Sequence, residues 1–321
     1  MYLRIVLIVL SFLIPNQSFS WGFFGHKRIN RLAVFTLPPE MMPFYKKHLQ
    51  FLAENAVNPD RRRYAVEEEA ARHYIDLDVY GDSAMYKMPR YWNEAVEKYS
   101  EDTLQAYGIV PWYIMTMKNY LTDAFKKGNI DGILRLSADI GHYIADANVP
   151  LHTTENYNGQ LTDQYGIHGF WESRLPELYS DDYDFYVGKA TYVEQPQMRS
   201  WAAVTAAHLS KDSVLFLEKE LSLKFPEDKK YSYEERGNST IRVYSKKYSN
   251  NYHKALDGQV ERRMTASIKM VGDFWYTCWV DAGQPDMTAM MRKGLSEREK
   301  KKLKADIEEW NKRTIESREH N

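Results

Sequence analysis

Hydrophobic periodicity is the feature that most restricts the folds open to this chain. Over most of its length, apolar residues recur at intervals of three and four, as on one face of a helix, and the alternation typical of strands is scarce. The pattern predicts helices over residues 26–35, 39–55, 90–107, 111–127, 131–148, 168–175, 198–223 and 251–282. Glycine, asparagine and proline residues separate these segments. The sequence therefore predicts an all-α, multi-helical protein.

The start of the chain has the composition of a secretory signal peptide over residues 1–20. Arg4 precedes an apolar run over residues 5–14, and Ser20 ends the segment. Since the run is short for a membrane span, we expect cleavage after Ser20 and a secreted or periplasmic protein, with an uncleaved anchor as the alternative. Cleavage would give Trp21 a free α-amino group, which with its carbonyl and His26 could chelate a metal. In the other interpretation, this aromatic start only packs under the core.

Composition limits the classes of partner and the sources of stability. The chain has 43 Lys and Arg against 44 Asp and Glu, a net charge of -1, so no overall field attracts nucleic acid or anionic lipid and any such partner needs a local site. Cys278 is the only cysteine, which excludes an internal disulfide and leaves packing and bound metal as the sources of stability. We expect one domain over residues 21–282 and a charged helical extension over residues 283–321.

The strongest motif lies between residues 141 and 152. His142 and Asp146 are four residues apart on a predicted helix, so they share a face and could bind one ion. Pro150 ends that helix, and His152 therefore leaves the following turn at a different angle. That direction suits a second ion better than the first.

Further candidate ligands lie on both sides of this motif. His168 and Glu172 repeat the four-residue spacing, and with His152 they make a three-ligand set with an open position. Upstream, Asp60 and His73 each have an ordinary interpretation, as a helix N-cap and a core histidine. Imidazole and carboxylate ligands in this number suit zinc, whereas magnesium and calcium sites are rich in oxygen. Two spaced pairs flanking one Pro-Leu-His segment favour a metal centre.

Together these motifs resemble the superfamily of zinc-dependent phospholipases C and single-strand nucleases, all-α enzymes with a three-zinc cluster. The resemblance covers the chain to about residue 282 and rests on the order of the motifs: a mature N-terminal Trp, Asp, His, His-x3-Asp-x5-His and His-x3-Glu. It implies three zinc ions in a single domain. The implied ligand sets are Asp60, His73, His142 and Asp146; Trp21, His26 and a bridging Asp146; and His152, His168 and Glu172.

The resemblance also implies the reaction, metal-assisted hydrolysis of phosphodiesters. In that chemistry two neighbouring zinc ions share a bridging hydroxide as nucleophile, and the third polarises the phosphoryl oxygens. Asp60 would orient the attacking water, and Arg63 would pair with a phosphate oxygen. Tyr74 and Asp76 would contact the substrate, the first by stacking and the second by a hydrogen bond.

Features of both branches of the superfamily occur in this sequence. Glu172, the short loop between His152 and His168, and the lack of disulfide cysteines resemble the phospholipases. The start of the mature chain and the Asp60-x2-Arg63 motif resemble the nucleases. We therefore expect a phospholipase C-type phosphodiesterase, with a single-strand-preferring nuclease or nucleotidase as the alternative.

The expected substrate is accordingly a phospholipid head group or a single-stranded nucleic acid. Arg61 and Ala70 stand where the phospholipases carry aromatic residues that cage choline, which argues against a choline head group. A non-catalytic exported module that uses zinc only for folding is the third possibility. Nothing in the sequence implies a stable protein partner, and a monomer is expected.

Overall fold

Helices make up nearly all the regular structure of the computed structural model, which describes residues 22–236, 239–293, 301 and 305. The first nine helices are α1 (Gly22–Ala33), α2 (Met42–Lys47), α3 (Leu49–Asn55), α4 (Asn58–Arg62), α5 (Ala84–Lys87), α6 (Trp92–Tyr99), α7 (Glu101–Tyr107), α8 (Val110–Lys126) and α9 (Ile130–Asp146). The next six are α10 (Ile167–Gly169), α11 (Leu175–Tyr179), α12 (Pro196–Lys224), α13 (Lys246–Ala255), α14 (Gln259–Asp281) and α15 (Met287–Lys293). The predicted all-α fold class is confirmed.

Two short strands interrupt the helical pattern in a segment for which no helix was predicted. Strand β1 (Tyr231–Arg236) pairs antiparallel with β2 (Ser239–Tyr244), and Tyr231 lies opposite Tyr244. The Tyr244 ring stacks on Phe170 with 3.8 Å between ring centroids. The hairpin therefore packs against the helical segment that follows α10.

The central element is α9, which pairs with α8 across a tight turn. Gly128 in that turn has a φ of 60°, and the Asn129 side chain caps α9 by accepting a hydrogen bond of 3.0 Å from the Gly132 N–H. Helices α1, α3, α8 and α14 pack around α9. Because α9 is buried on almost every side, polar residues near its end lie inside the protein and not on its surface.

A close approach between α1 and α9 depends on Gly141. A Cβ atom at this position would lie 2.0 Å from Oδ1 of Asn30 on α1. The Asn30 amide in turn donates to the carbonyl of Ala138 on α9 at 3.0 Å. This contact holds α1 against α9 and places the His26 ring 3.9 Å from the His142 ring, measured between centroids.

The largest core side chains join α14 and the segment after α10 to this centre. Trp275 of α14 is buried, and its indole N–H donates to the carbonyl of Ser137 on α9 at 3.0 Å. Trp171 is also buried and donates to Gln259 at the start of α14. Among the helices that the structure describes, none is both long enough and apolar enough to cross a membrane.

Both predicted terminal segments lie largely outside the described residues. The predicted leader, residues 1–20, and Trp21 fall there entirely. Of the predicted extension over residues 283–321, the described part includes α15, which packs on α2. Met287 is buried there, and the Lys47 ammonium donates to the carbonyl of Met291 at 3.3 Å. The described part of the extension is thus attached to the helical domain.

Candidate metal centre

The end of α9 supplies the two central side chains of the site. His142 and Asp146 lie one turn apart, both fully buried, with 3.1 Å between His142 Nε2 and Asp146 Oδ2. The other ring nitrogen of His142, Nδ1, is 2.8 Å from the carbonyl oxygen of Ala56 and donates to it. Since Nδ1 donates to that carbonyl, Nε2 is the ring nitrogen left to bind a metal ion.

Two upstream elements bring His73 and Asp60 to the same place. His73 ends a short 3-10 helix, Glu67–His73, and its Nδ1 lies 2.8 Å from Asp146 Oδ2 and 3.0 Å from His142 Nε2. Asp60 lies in α4, where its Oδ1 is 3.6 Å from His142 Nε2 and 3.7 Å from His73 Nδ1. Of the four side chains that were predicted to share one ion, Asp60 and Asp146 each lie against both His73 and His142.

The second oxygen of Asp146 faces a different partner. Its Oδ1 lies 3.4 Å from Nε2 of His26, which comes from α1. One carboxylate thus presents one oxygen to His26 and the other to His73 and His142, the arrangement expected of a bridging ligand. Trp21, predicted to complete the His26 set, lies outside the described residues.

The third predicted set is assembled after α9 ends. His152 lies in the 3-10 turn Pro150–Thr153, and its Nε2 is 3.2 Å from Nε2 of His168 in α10. Glu172 lies in the π-helical turn Phe170–Arg174, with Oε1 3.0 Å from His168 Nε2 and Oε2 3.5 Å from His152 Nε2. These three side chains form one compact group of potential ligands.

Several buried atoms of the centre lack a hydrogen-bond partner within the described part of the chain. They include both ring nitrogens of His26, Nε2 of His73, and both carboxylate oxygens of Asp60 and of Glu172. Buried polar atoms are almost always satisfied in folded proteins, so such a concentration calls for a missing ligand. Imidazole nitrogens and carboxylate oxygens within 4.8 Å of one another fit a zinc ion.

In the absence of metal, the charges of the ligands compensate one another. Burial opposes ionisation of Asp146 and Glu172, but the neighbouring histidines outweigh it, holding the pKa of Asp146 well below its usual range and lowering the pKa of Glu172 to about 2. Burial likewise opposes protonation of His152, but Asp146 and Glu172 raise its pKa to about 9. A metal that binds here at neutral pH must displace protons from imidazole.

Behind the first four ligands lies an ionic layer that sequence patterns did not reveal. Glu69 is fully buried and accepts hydrogen bonds from Arg72 and from the Tyr143 hydroxyl. Arg62 is 3.5 Å from Glu69 and 3.0 Å from Asp139. In the sequence, Arg62 and Glu69 belong to runs of like charge that are typical of solvated surface, so this layer could not be predicted from charge patterning.

The three residues proposed to meet the substrate lie around this centre. Arg63 Nη1 is 3.9 Å from Asp60 Oδ1. Tyr74 and Asp76 follow His73 in the chain, and the Asp76 N–H donates to the carbonyl of Tyr107 at 2.8 Å. Burial, followed by the charges of two neighbouring carboxylates, raises the pKa of Asp76 to about 7.

Exposure is distributed unevenly among the potential ligands. The side chains of Asp146 and Glu172 have no exposed surface, whereas those of Asp60, His152 and His168 are 10%, 5% and 6% exposed. The centre therefore meets solvent along the side formed by Asp60 and the third ligand set.

Comparison with known proteins gives little beyond this geometry. No family model matches the chain, and no curated protein matches it either. Solved structures similar to it include alpha-toxin from an avian strain of Clostridium perfringens (13% identity, TM-score 0.45) and alpha toxin from Clostridium absonum (13% identity, TM-score 0.44). Each likeness covers 83% of this chain but 64% of the toxin, so this chain spans less than two thirds of the toxins' length. A likeness of this degree identifies neither a family nor an activity.

Proposed function

We propose that the protein is an exported zinc-dependent hydrolase of phosphodiester bonds, with three zinc ions per chain. The observation that carries the proposal is the set of three adjacent buried ligand groups, two of them joined through Asp146, in which atoms of His26, Asp60 and Glu172 have no hydrogen-bond partner among the described residues. Such an arrangement suits a metal cluster better than a polar core, because unsatisfied buried charge is strongly destabilising.

The residues of this chain divide into holding and orienting roles. The metals would supply, when bound, an activated water and polarisation of the phosphoryl group. The residues that would hold them are Trp21, His26, Asp60, His73, His142, Asp146, His152, His168 and Glu172. Asp60 is the most exposed member of its group, so its carboxylate can accept a proton of the attacking water and direct it. Arg63, 3.9 Å away, is placed to bind a phosphate oxygen.

The third ligand set favours catalysis over a purely structural role for the metal. Structural zinc sites close their shell with four protein ligands, and often with cysteine. Here His152, His168 and Glu172 make a group of three, and two of them keep some solvent exposure. An ion held by them would retain a position for water or substrate.

For the substrate we propose a phospholipid, cleaved as by a phospholipase C, with a head group other than choline. The support is the resemblance of Glu172 and of the short loop before His168 to the phospholipase branch. A nuclease acting on single strands is the second candidate, and the position of Arg63 beside Asp60 favours it. Either substrate presents the same phosphodiester to the centre.

A substrate panel tests the proposal. Protein processed to begin at Trp21 and loaded with zinc is given bis-p-nitrophenyl phosphate, vesicles of phosphatidylethanolamine or phosphatidylcholine, and single-stranded DNA and RNA. We expect hydrolysis of the small diester and of phosphatidylethanolamine, and none by metal-stripped protein. Preferred cleavage of single strands would replace the phospholipase assignment by the nuclease. Zinc-loaded protein that hydrolyses none of them would contradict the proposed function.

A further inference from the structure

Glu69 touches the back of a metal-ligand histidine. Its Oε1 lies 3.6 Å from His73 Nε2, whereas Nδ1 of the same ring faces Asp146 and His142 at 2.8 and 3.0 Å. Glu69 is fully buried, so no water competes for this contact. The two nitrogens of the His73 ring thus face opposite directions: Nδ1 faces the ligand group and Nε2 faces Glu69.

The direction of each ring determines where its proton resides. A neutral imidazole that offers one nitrogen to a metal carries its proton on the other. His142 and His152 direct Nε2 at the ligand group. Their Nδ1 protons are donated to main-chain carbonyls, that of Ala56 at 2.8 Å for His142 and that of His73 at 2.7 Å for His152. His73 is turned the other way, so its proton belongs on Nε2, and the carboxylate that faces this nitrogen, at 3.6 Å, is Glu69.

Other side chains hold Glu69 at this point. Arg72 donates to its Oε2 at 2.6 Å, and the Tyr143 hydroxyl donates to its Oε1. Arg62 Nε is 3.5 Å from Oε2. A buried carboxylate is costly unless it is paired and hydrogen-bonded, and here the pairing also fixes both oxygens relative to His73.

We propose that Glu69 is a positioning residue for the metal ligand His73. It keeps the ring in the tautomer with hydrogen on Nε2, directs Nδ1 at the ligand group, and makes His73 a more basic ligand than a main-chain acceptor would. The inference rests on the metal centre of the proposed function, but it concerns metal affinity and not the reaction. Removal of such an outer partner typically costs about 10- to 100-fold in metal affinity.

Two isosteric variants one residue apart test the proposal. Metal-free wild type, Glu69→Gln and Glu68→Gln are titrated with zinc against a competing chelator. We expect one zinc to bind about 10- to 100-fold more weakly to Glu69→Gln, because a neutral amide oxygen is a weaker acceptor than a charged carboxylate and leaves His73 a less basic ligand. Glu68 is exposed, so Glu68→Gln should bind zinc as wild type does. Affinity of Glu69→Gln within twofold of wild type would overturn the proposal.

A third variant separates positioning from general support of the ionic layer. Asp139→Asn weakens the hold on Arg62 without touching His73, so it should retain zinc affinity better than Glu69→Gln. Equal losses in the two variants would mean that the layer acts only as packing. Nitrogen NMR of labelled histidine in the zinc-loaded protein gives an independent readout, since the wild-type His73 ring should then carry its proton on Nε2. A proton found on Nδ1 of His73 in the zinc-loaded wild type would contradict the assignment.

Should Glu69→Gln fail to fold, Tyr143→Phe decides the question. It removes the hydroxyl donor to the same Oε1 but keeps the ring, and we expect about two- to tenfold weaker zinc binding from the loss of one hydrogen bond. Unchanged zinc affinity in this variant would then overturn the proposal. Wild type that binds zinc but cleaves no phosphodiester would contradict the proposed function alone, because none of these measurements uses a substrate.

Discussion

Asp146 is the residue on which most of the centre converges. Its Oδ2 faces His73 and His142, its Oδ1 faces His26, and its side chain has no exposed surface. A carboxylate with two oxygens in different ligand groups couples the two groups, because displacement of one oxygen displaces the other. We therefore expect the first two metals to be lost together.

The variant Asp146→Asn tests this coupling. An amide offers one neutral oxygen in place of two charged ones, so zinc should fall from about three to about one per chain and turnover should drop by at least about 100-fold. Elemental analysis and hydrolysis of bis-p-nitrophenyl phosphate measure the two effects. Asp123→Asn, on the exposed end of α8, serves as control. Full zinc content in Asp146→Asn would show that the residue does not bridge.

Asp76 is expected to make the metal-free protein less stable as pH rises. Burial and the charges of Asp78 and Glu155 raise its pKa to about 7, against a partial opposing effect of His152. Because the folded protein keeps a proton that the unfolded chain loses above its ordinary pKa of about 3.9, stability falls between about pH 4 and 7. Asp76→Asn removes this penalty, so its gain in stability should grow over that window and then level off. Urea unfolding at several pH values measures the gain, and a gain independent of pH would contradict the prediction.

The proposed role of Trp21 as a ligand predicts that the signal peptide must be removed for full metal binding. An α-amino group has a pKa of about 7.7 to 8.0 and can bind zinc once deprotonated, whereas an amide nitrogen is a poor ligand at neutral pH. Protein that retains residues ahead of Trp21 should therefore bind one zinc fewer and lose most of its activity. Mass spectrometry of the exported protein should find Trp21 at the N-terminus. Equal zinc content and activity in an extended form would exclude the terminal amine as a ligand.

At the residue scale, ligands with regular helical spacing could be predicted from the sequence. Residues whose role depends on a single tertiary contact could not. Helical spacing alone predicts that His142 and Asp146 share a face, and the structure places them so. Glu69 was not predictable, because its role depends on the contact of its carboxylate with one particular nitrogen of His73. Within a run of three glutamates, nothing in the sequence distinguishes the buried residue from the exposed ones.

At the scale of elements, the helical segments were predicted well but several of their ends were not. The predicted helix over residues 251–282 is divided in the structure, where Asp257 and Gly258 have positive φ values of 48° and 72°. The predicted helix over residues 90–107 is divided at Ser100, with φ of 68°, whose side chain caps α7. Hydrophobic periodicity carries little information on residues with positive φ, whether glycine or not, so these breaks were missed.

The close contact between α1 and α9 at Gly141 leads to a prediction about stability. Gly141→Ala would bring a methyl group to within 2.0 Å of Asn30 Oδ1 and push the two helices apart, which should cost about 1–3 kcal/mol of stability. The His26 zinc should also be weakened, since α1 carries that ligand. Gly169→Ala is the matched control, because a Cβ there meets nothing within 4 Å. Urea unfolding of both variants measures the difference, and equal stabilities would show that the approach of α1 to α9 tolerates a methyl group.

At the scale of the whole molecule, metal is expected to supply the cross-linking that disulfides cannot. Cys278, the only cysteine in the sequence, is buried and free. Bound ligand at 100 times its Kd stabilises a fold by about 2.7 kcal/mol, so removal of zinc by a chelator should lower the Tm measurably. Zinc should restore the Tm, and magnesium should not, because the ligands are mainly imidazoles. Scanning calorimetry of metal-free and reloaded protein measures the shift, and an unchanged Tm would exclude a stabilising metal.

The order of the ligands along the chain has a consequence for biosynthesis. They come from α1, α4, two 3-10 turns, the end of α9 and the turns after it, so no single segment holds a complete group. A chain that emerges with its N-terminus first exposes His26 and Asp60 long before His142 exists to join them. The third ligand set is complete only after Glu172 has been synthesised. If the centre binds zinc as proposed, tight binding would follow the docking of all these segments, and zinc content would then distinguish fully folded molecules from incompletely folded ones.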